Sequence, residues 1–204
     1  MITEHREVEQ KFDVPAGFAL PDLGGLPGVA SVGAPEERRL SAVYHDTADL
    51  RLARARVTLR RRTGGPDAGW HLKLPAVDGA RRELQAPLGD PRTPPADLLA
   101  RVVEALDGAP VAPAAGLETR RVVTLLRAGD GRVLAEVADD TVTGTDLAAD
   151  AGTAPQTWRE VEVELVDGDD EVLRAVAGRL LAAGAHPAAA PSKLARVLGT
   201  RLAR

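Results

Sequence analysis

The sequence has no cysteine, which excludes disulfides, thiolate catalysis and zinc sites built from cysteine. Aromatic residues make up only 2% of the chain, so we expect a core of leucine, valine and alanine. No apolar run approaches the roughly 18 residues that a membrane-spanning helix needs, and the N-terminal MITEHREVEQ does not resemble a signal peptide. We therefore expect a cytoplasmic protein with no membrane partner.

Lysine is also scarce, because only three of the 26 basic residues are lysines: Lys11, Lys73 and Lys193. A lysine in such an arginine-rich chain suggests a position where a compact ammonium is preferred to a planar guanidinium. The formal net charge of −4 argues against non-specific binding to nucleic acid or membranes. We therefore expect no stable nucleic-acid binding.

The 204 residues are enough for one large domain or two small ones. The segment GAPVAPAAG, residues 108–116, is the best candidate boundary, but neither half alone has enough strands to enclose its charged face. We therefore expect one domain over residues 1–204. Roughly eight strands mostly follow one another without an intervening helix, which predicts an α+β fold with a largely antiparallel sheet.

Charged residues alternate with apolar ones along several predicted strands. Because residues i and i+2 lie on one face of a strand, EVEQKF places Glu7, Glu9 and Lys11 together. A single stripe of this kind is typical of a solvated sheet face. The other stripes are Glu160, Glu162 and Glu164; Arg60 and Arg62; His71 and Lys73; Arg81, Glu83 and Gln85; and Glu118 and Arg120.

So many stripes indicate one shared charged surface rather than separate solvated faces. The amphipathic helices need an apolar sheet face to pack on. If they cover that face, most strands share the opposite, charged face, and a sheet that curls into a closed barrel places this face inside. A dry interior of this composition would be very costly, whereas a wet tunnel could hold a polyanion and a metal ion.

The residue types on these stripes suit phosphoryl chemistry. Carboxylates on neighbouring strands are hard oxygen ligands for Mg²⁺ or Mn²⁺. Arginine forks and lysine point charges match phosphate oxygens. Without cysteine and without an evident Ser–His pair, the combination indicates metal-assisted phosphoryl transfer.

An ordered set of motifs resembles the CYTH superfamily, whose members are also called triphosphate tunnel metalloenzymes. The set is EVEQKF (7–12), YHDT (44–47), TLRRR (58–62), HLKLP (71–75), RRELQ (81–85), ETRR (118–121), VADD (137–140), REVEVEL (159–165) and SKL (192–194). A lone match to the E-x-E-x-K signature is weak, but the ordered set covers nearly the whole chain. The resemblance implies an eight-stranded antiparallel β-barrel that forms a charged tunnel, with helices packed outside, and an activity on a triphosphate with a divalent cation.

The resemblance also implies roles for individual residues. The metal-binding positions correspond to Glu7, Glu9, Asp139, Glu160 and Glu162. The triphosphate-binding positions correspond to Lys11, Arg60, Arg62, Lys73, Arg81, Arg120 and Lys193, which include all three lysines. The catalytic set implied is Glu7, Glu9, Lys11, Glu160 and Glu162.

Three of these positions have a neighbour of the same type, and the alternatives stay open. They are Asp139 or Asp140, Arg81 or Arg82, and Arg120 or Arg121. Arg81 is preferred because it shares a strand face with Glu83. Asp139 is taken as the inward acid, and Arg121 as a surface partner.

The leading hypothesis is a metal-dependent triphosphatase that uses Mg²⁺ or Mn²⁺. Inorganic tripolyphosphate is the first candidate substrate, because few aromatic residues are available to stack on a base or a thiazole; thiamine triphosphate and ATP are the other candidates. The alternatives are an adenylate cyclase of the same fold and a non-catalytic polyphosphate- or nucleotide-binding module. The sequence does not indicate an oligomeric state.

Overall fold

The computed structural model describes residues 2–75, 80–147 and 154–203, so the end residues of the predicted domain lie outside the described ranges. The strands are β1 Thr3–Glu7, β2 Glu9–Asp13, β3 Ser31–Val32, β4 Glu36–Asp46, β5 Thr58–Thr63, β6 Gly69–Lys73, β7 Arg81–Ala86, β8 Ala112–Arg127, β9 Val133–Asp146, β10 Gln156–Leu165 and β11 His186–Pro187. The helices are α1 Arg51–Arg54, α2 Ala96–Leu99, α3 Val103–Leu106, α4 Asp170–Ala182, α5 Lys193–Leu198 and α6 Thr200–Ala203, with a 3₁₀ turn at Ala100–Val102. Within the described ranges, no helix combines the length and apolar character needed to cross a membrane.

The strands form one antiparallel sheet that closes on itself. Its order is β1-β7-β6-β5-β4-β8-β9-β10-β2-β11, and β3 pairs with β8. Strands β1 and β2 are separated only by Val8, yet β1 pairs with β7 and β2 pairs with β10. The N-terminal segment therefore joins the two edges of the sheet, which gives the predicted antiparallel barrel. Eleven strands replace the expected eight because the first strand is divided at Val8 and the two-residue strands β3 and β11 are added.

The strand register identifies which side chains point into the barrel, because residues directly opposite each other share a face. Lys11 lies opposite Glu162. On the other side of the barrel, Lys73 lies opposite Glu83. Most of the charged stripes therefore meet on a common inner surface, as their alternation predicts, whereas the stripe of Glu118 and Arg120 lies on the outer face of β8.

Helices cover much of the apolar outer surface. Asp169 caps α4 by accepting hydrogen bonds from the backbone N–H groups of Glu171 and Val172. The buried face of α4 packs over outward residues of β10, including Val161 and Val163. Helices α2 and α3 pack in the same way over β5, β6 and β7.

Helix α5 lies against the inner surface instead. Its Val197 belongs to a buried cluster with Leu117 and Val142. Val142 lies two residues from Asp140 on the inward face of β9. The next inward position, Gly144, has no room for a side chain, because a Cβ atom there would lie 2.4 Å from Cγ2 of Val197. Helix α5 therefore fills one end of the barrel.

Two helices differ from their sequence-based boundaries. The segment TPPADLLARVVEALDG predicts one helix between an N-cap at Thr93 and Gly108. In the structure the first helical segment follows Pro95, and the backbone of Val102 leaves the helical region with φ −129°. The sequence also predicts a final short helix that starts at Ser192, and this helix is interrupted at Gly199, where φ is +44°. Within the segment 108–116, strand β8 begins at Ala112.

Candidate active site

The barrel encloses a cavity of about 320 Å³. Its basic lining residues are Lys11, Arg38, Arg60, Arg62, Lys73, Arg81, Arg121 and Lys193. Its acidic lining residues are Glu7, Asp67, Glu83, Glu136, Glu162 and Glu164. Glu9, Asp140 and Glu160 contact these basic residues from the same inner surface, so basic and acidic groups are close to balanced in the tunnel. The converging basic side chains suit an anionic ligand, and the carboxylates beside them suit a cation.

Three carboxylates lie near one another on the inner surface where β1, β2 and β10 meet. Glu9 lies directly opposite Glu164 in the antiparallel register. Burial, followed by repulsion from Glu7 and Glu9, raises the pKa of Glu164 to about 7. Glu7 is 5% exposed, and its Oε2 atom has no hydrogen-bond partner among the described residues. Like charges placed opposite each other destabilise a sheet, so this cluster favours a bound cation.

Two of the three lysines partly neutralise the glutamates of the inner surface. Lys73 contacts Glu7, and Lys11 contacts both Glu162 and Glu9, whose Oε2 lies 2.6 Å from the ammonium nitrogen. Although burial opposes it, the charges of Lys11 and Lys73 hold the pKa of Glu9 below its usual value. Glu9 is therefore ionised at neutral pH and available as an oxygen ligand.

A second carboxylate group surrounds the third lysine. Oxygen atoms of Asp140, Glu160 and Glu162 lie within 4.8 Å of one another. The Nζ atom of Lys193 lies 3.0 Å from Asp140, 2.6 Å from Glu160 and 2.7 Å from Glu162. Although burial favours the neutral amine, these carboxylates raise the pKa of Lys193 above its usual value. The charged ammonium group of the Lys193 side chain therefore lies at the centre of these three carboxylates.

The position of Lys193 is set by the start of α5. Ser192 is the N-cap, and its side-chain oxygen accepts a hydrogen bond of 3.1 Å from the N–H of Ala195. The helix dipole disfavours a cation at this end of a helix. The carboxylates that face Lys193 compensate for that penalty.

Asp139 lies outside the tunnel, so its prediction as the inward acid is wrong. Both of its carboxylate oxygens accept hydrogen bonds from Arg159, at 2.8 and 2.6 Å. Its neighbour Asp140 is fully buried and directly opposite Glu160, whereas Asp139 is opposite the outward-facing Val161. The register between β9 and β10 therefore places Asp140 inside the barrel.

Arg120 is likewise an outer residue, contrary to its predicted position. Its side chain is 51% exposed and lies 2.7 Å from Glu37. Arg121 instead donates two hydrogen bonds of 2.8 and 2.7 Å to Asp140 and one of 2.6 Å to Glu162. Arg121, and not Arg120, therefore points into the tunnel, because Arg121 lies directly opposite Asp140 in the pairing of β8 with β9.

The other predicted phosphate-binding residues lie in the cavity. Arg81 lines it, whereas Arg82 is half exposed and forms an ion pair with Glu4. Arg60 donates a hydrogen bond of 3.2 Å to the hydroxyl of Tyr44. Strand register therefore selects Arg81 over Arg82, as strand parity suggests.

Sequence reasoning missed Arg38 and Glu136 as cavity residues. Arg38 is followed by a second arginine, so the alternation of residues along this strand does not show which of the two points inward. Glu136 lies four residues before Asp140 on the same strand face, and this spacing was the available signal. Glu164 was found as part of a charged stripe but was not assigned to the metal.

The CYTH domain family model matches residues 5–193. The chain belongs to the CYTH family. Two curated Mycobacterium tuberculosis proteins, uncharacterized protein Rv2226 of strain H37Rv and uncharacterized protein MT2285 of strain CDC 1551, are each 47% identical to it over 209 residues. The alignment covers 96% of this chain and 40% of each relative, so the CYTH chain spans about two fifths of their length.

Solved structures share the fold of this CYTH chain. The adenylate cyclase-like protein bh2851 of Bacillus halodurans has a TM-score of 0.65 and 15% identity, with 95% of this chain and 97% of that chain covered. HpAC1 of Hippeastrum, an adenylyl cyclase-like protein with a dominant triphosphatase activity, has a TM-score of 0.54 and 19% identity, with 95% and 96% covered. These comparisons confirm the predicted family and fold. CYTH proteins are metal-dependent enzymes that act on triphosphates.

Proposed function

We propose that this CYTH protein is a metal-dependent triphosphatase and that inorganic tripolyphosphate is its substrate. The observation that carries the proposal is the tunnel cavity, where many basic side chains lie beside carboxylates from neighbouring strands. The basic residues suit a polyanion, and the carboxylates suit a hard cation. A metal-bound triphosphate satisfies both.

A substrate without an organic part is supported by the aromatic side chains, all of which are described and already engaged. Phe12, Phe18 and Trp70 are buried in clusters outside the tunnel. The guanidinium of Arg60 lies over the ring of Tyr44, 6.0 Å from its centroid. Trp158 has Arg196 over its ring at 5.2 Å. The cavity therefore offers little for stacking on adenine or thiazole, which favours tripolyphosphate over ATP and thiamine triphosphate.

The residues present suit Mg²⁺ or Mn²⁺. Glu7, Glu9 and Glu164 would hold the ion, because they offer only carboxylate oxygens and because one oxygen of Glu7 is buried without a hydrogen-bond partner among the described residues. When bound, a divalent ion neutralises phosphate oxygens and lowers the pKa of a coordinated water. The Asp140, Glu160 and Glu162 group is a second set of hard ligands, which Lys193 and Arg121 already neutralise.

The basic side chains would bind and orient the triphosphate. Arg60, Arg62, Arg81 and Lys73 line one cavity, and the hydroxyl of Tyr44 fixes the guanidinium of Arg60. In hydrolysis, a water oxygen adds to the terminal phosphorus and the bridging P–O bond breaks, which releases orthophosphate and pyrophosphate. The arginines would stabilise negative charge on the transferred and leaving groups.

Phosphate release from a substrate panel tests the proposal. The panel contains tripolyphosphate, thiamine triphosphate, ATP and pyrophosphate, each with Mg²⁺, with Mn²⁺ and with chelator. We expect metal-dependent release from tripolyphosphate and little from pyrophosphate. Release of cyclic AMP from ATP would support the cyclase, and tight tripolyphosphate binding without turnover would support a binding module. Either result would overturn the triphosphatase proposal.

A further inference from the structure

The loop that joins β5 and β6 reaches the tunnel. Three of its residues, including Asp67, line the cavity. The turn needs glycine at position 64, where φ is +77° and a Cβ atom would lie 2.0 Å from the carbonyl oxygen of Arg39. The loop is therefore held close against β4, with Asp67 at the cavity.

Two side chains from inside the barrel fix the backbone of Asp67. Its carbonyl oxygen lies 2.9 Å from Nε2 of His71 and 3.1 Å from Nε2 of Gln85. Because a carbonyl oxygen can only accept, Nε2 of His71 must carry the hydrogen. His71 is 1% exposed, and its other ring nitrogen contacts Glu83. This buried anchor determines where the Asp67 side chain can reach.

The carboxylate of Asp67 forms an ion pair with Arg62. The side chain of Arg62 is only 8% exposed, whereas that of Asp67 is 46% exposed. Burial and the nearby positive charges of Arg60 and Arg121 disfavour an unpaired guanidinium at Arg62. The buried guanidinium of Arg62 therefore favours an anionic partner. The partly exposed carboxylate of Asp67 is that partner.

We propose that Asp67 is a specificity-determining residue that occupies the anion position of Arg62 until a substrate phosphate displaces it. The inference rests on the proposed function, because it requires a phosphate at Arg62. A carboxylate and a phosphate oxygen compete for the same guanidinium donors. A phosphate that takes the guanidinium nitrogen facing Asp67 must therefore displace that carboxylate.

This competition excludes weak anions. The loss of the ion pair is a fixed cost, which a tripolyphosphate can offset through contacts with the other basic residues of the cavity. Orthophosphate makes too few contacts to do so. Asp67 therefore favours a multiply charged phosphate chain over single phosphates. This specificity arises because the Asp67 carboxylate competes with the ligand, and not because the cavity fits the longer chain better.

Calorimetric titration of inorganic tripolyphosphate in the presence of chelator tests this inference without turnover. Asp67→Asn removes the charge but keeps the backbone carbonyl that His71 and Gln85 bind. We expect about tenfold tighter binding, which corresponds to about 1.4 kcal/mol. Asp67→Glu, which keeps the charge, should bind within twofold of wild type. Asp130→Asn is the matched control, because Asp130 lies in another hairpin loop and pairs with exposed Arg132.

A double-mutant cycle separates competition at Arg62 from general repulsion. In an Arg62→Gln background, Asp67→Asn should no longer change the tripolyphosphate affinity. Unchanged binding by the single Asp67→Asn variant, with its melting temperature preserved, overturns the inference, as does a gain that persists without Arg62. If none of these proteins binds tripolyphosphate in chelator, the inference is wrong, and the phosphate-release panel decides the proposed function separately.

Discussion

Glu9 on β2 and Glu164 on β10 lie directly opposite each other on the inner surface of the barrel. Adjacent strands usually avoid such a pair, because directly opposed like charges destabilise a sheet. Here Glu7 adds a third carboxylate to the pair. This arrangement of carboxylates therefore destabilises the free protein, and a bound divalent cation would offset the repulsion between them.

Replacing Glu164 with glutamine should weaken the binding of Mn²⁺ by more than tenfold, because the amide offers a weaker, neutral ligand. Titration calorimetry with Mn²⁺ measures this directly. Glu104→Gln on α3 is the matched control, since Glu104 is exposed on an outer helix and should leave the affinity unchanged. Equal Mn²⁺ affinity in both variants would remove Glu164 from the metal site.

Replacing Lys193 with methionine should destabilise the protein by about 3–5 kcal/mol in chelator, because it leaves buried carboxylates without their cation. Added Mn²⁺ should recover part of this loss if Asp140, Glu160 and Glu162 can hold a metal ion. Urea denaturation with and without Mn²⁺ checks both effects. Arg196→Met on the same helix removes a more exposed cation, paired with Asp13, and should cost less. A stable Lys193→Met variant would contradict the account.

Neighbouring arginines provide a test of the strand register. Arg121→Lys should weaken tripolyphosphate binding about tenfold, because lysine cannot replace the guanidinium fork inside the tunnel. Arg120→Lys, one residue earlier and outside the barrel, should change the affinity by less than twofold. Titration of each variant with tripolyphosphate distinguishes them. The opposite order would show that the inward face of β8 has been assigned incorrectly.

Acid should destabilise the protein through His45. This residue is 2% exposed and its ring lies 4.9 Å from that of Trp70. Burial lowers the pKa of His45 below its usual 6.5, so the unfolded chain takes up a proton at a higher pH than the folded chain does. The free energy of unfolding therefore falls as the pH drops through 6.5 towards the depressed value, by up to about 1.4 kcal/mol per pH unit.

His45→Phe keeps a ring against Trp70 and removes the titrating group. Urea denaturation between about pH 7.5 and pH 5 should show a shallower loss of stability for this variant than for wild type. His186→Asn, at an exposed position, should follow the wild-type profile. Parallel profiles for wild type and His45→Phe would show that His45 does not cause the acid sensitivity.

The fold could be predicted because its determinants are local. Alternation in EVEQKF and EVEVEL assigns one charged and one apolar face to each strand, and the charged faces meet in the barrel as that pattern requires. The same rule placed Arg81 inward and Arg82 outward. These assignments depend on one strand at a time.

The incorrect assignments depend on relations between strands. Asp139 and Asp140 are both acidic, so parity alone cannot choose between them, and the register between β9 and β10 decides. Arg120 and Arg121 present the same problem, because the outer face of β8 is itself polar there and carries the ion pair of Arg120 with Glu37. The contact between Asp67 and Arg62 has no sequence signal at all, since it depends on how the loop closes over the cavity.

The proposed triphosphatase activity is best tested by metal-dependent hydrolysis of tripolyphosphate by wild type and by the Glu7→Gln/Glu9→Gln variant. We predict that wild type releases orthophosphate with Mg²⁺ or Mn²⁺, and that the variant releases none while it keeps the circular dichroism spectrum of the folded protein. Release by the variant at the wild-type rate would contradict the assignment of these carboxylates to the metal. No release by wild type under any metal condition would contradict the triphosphatase itself.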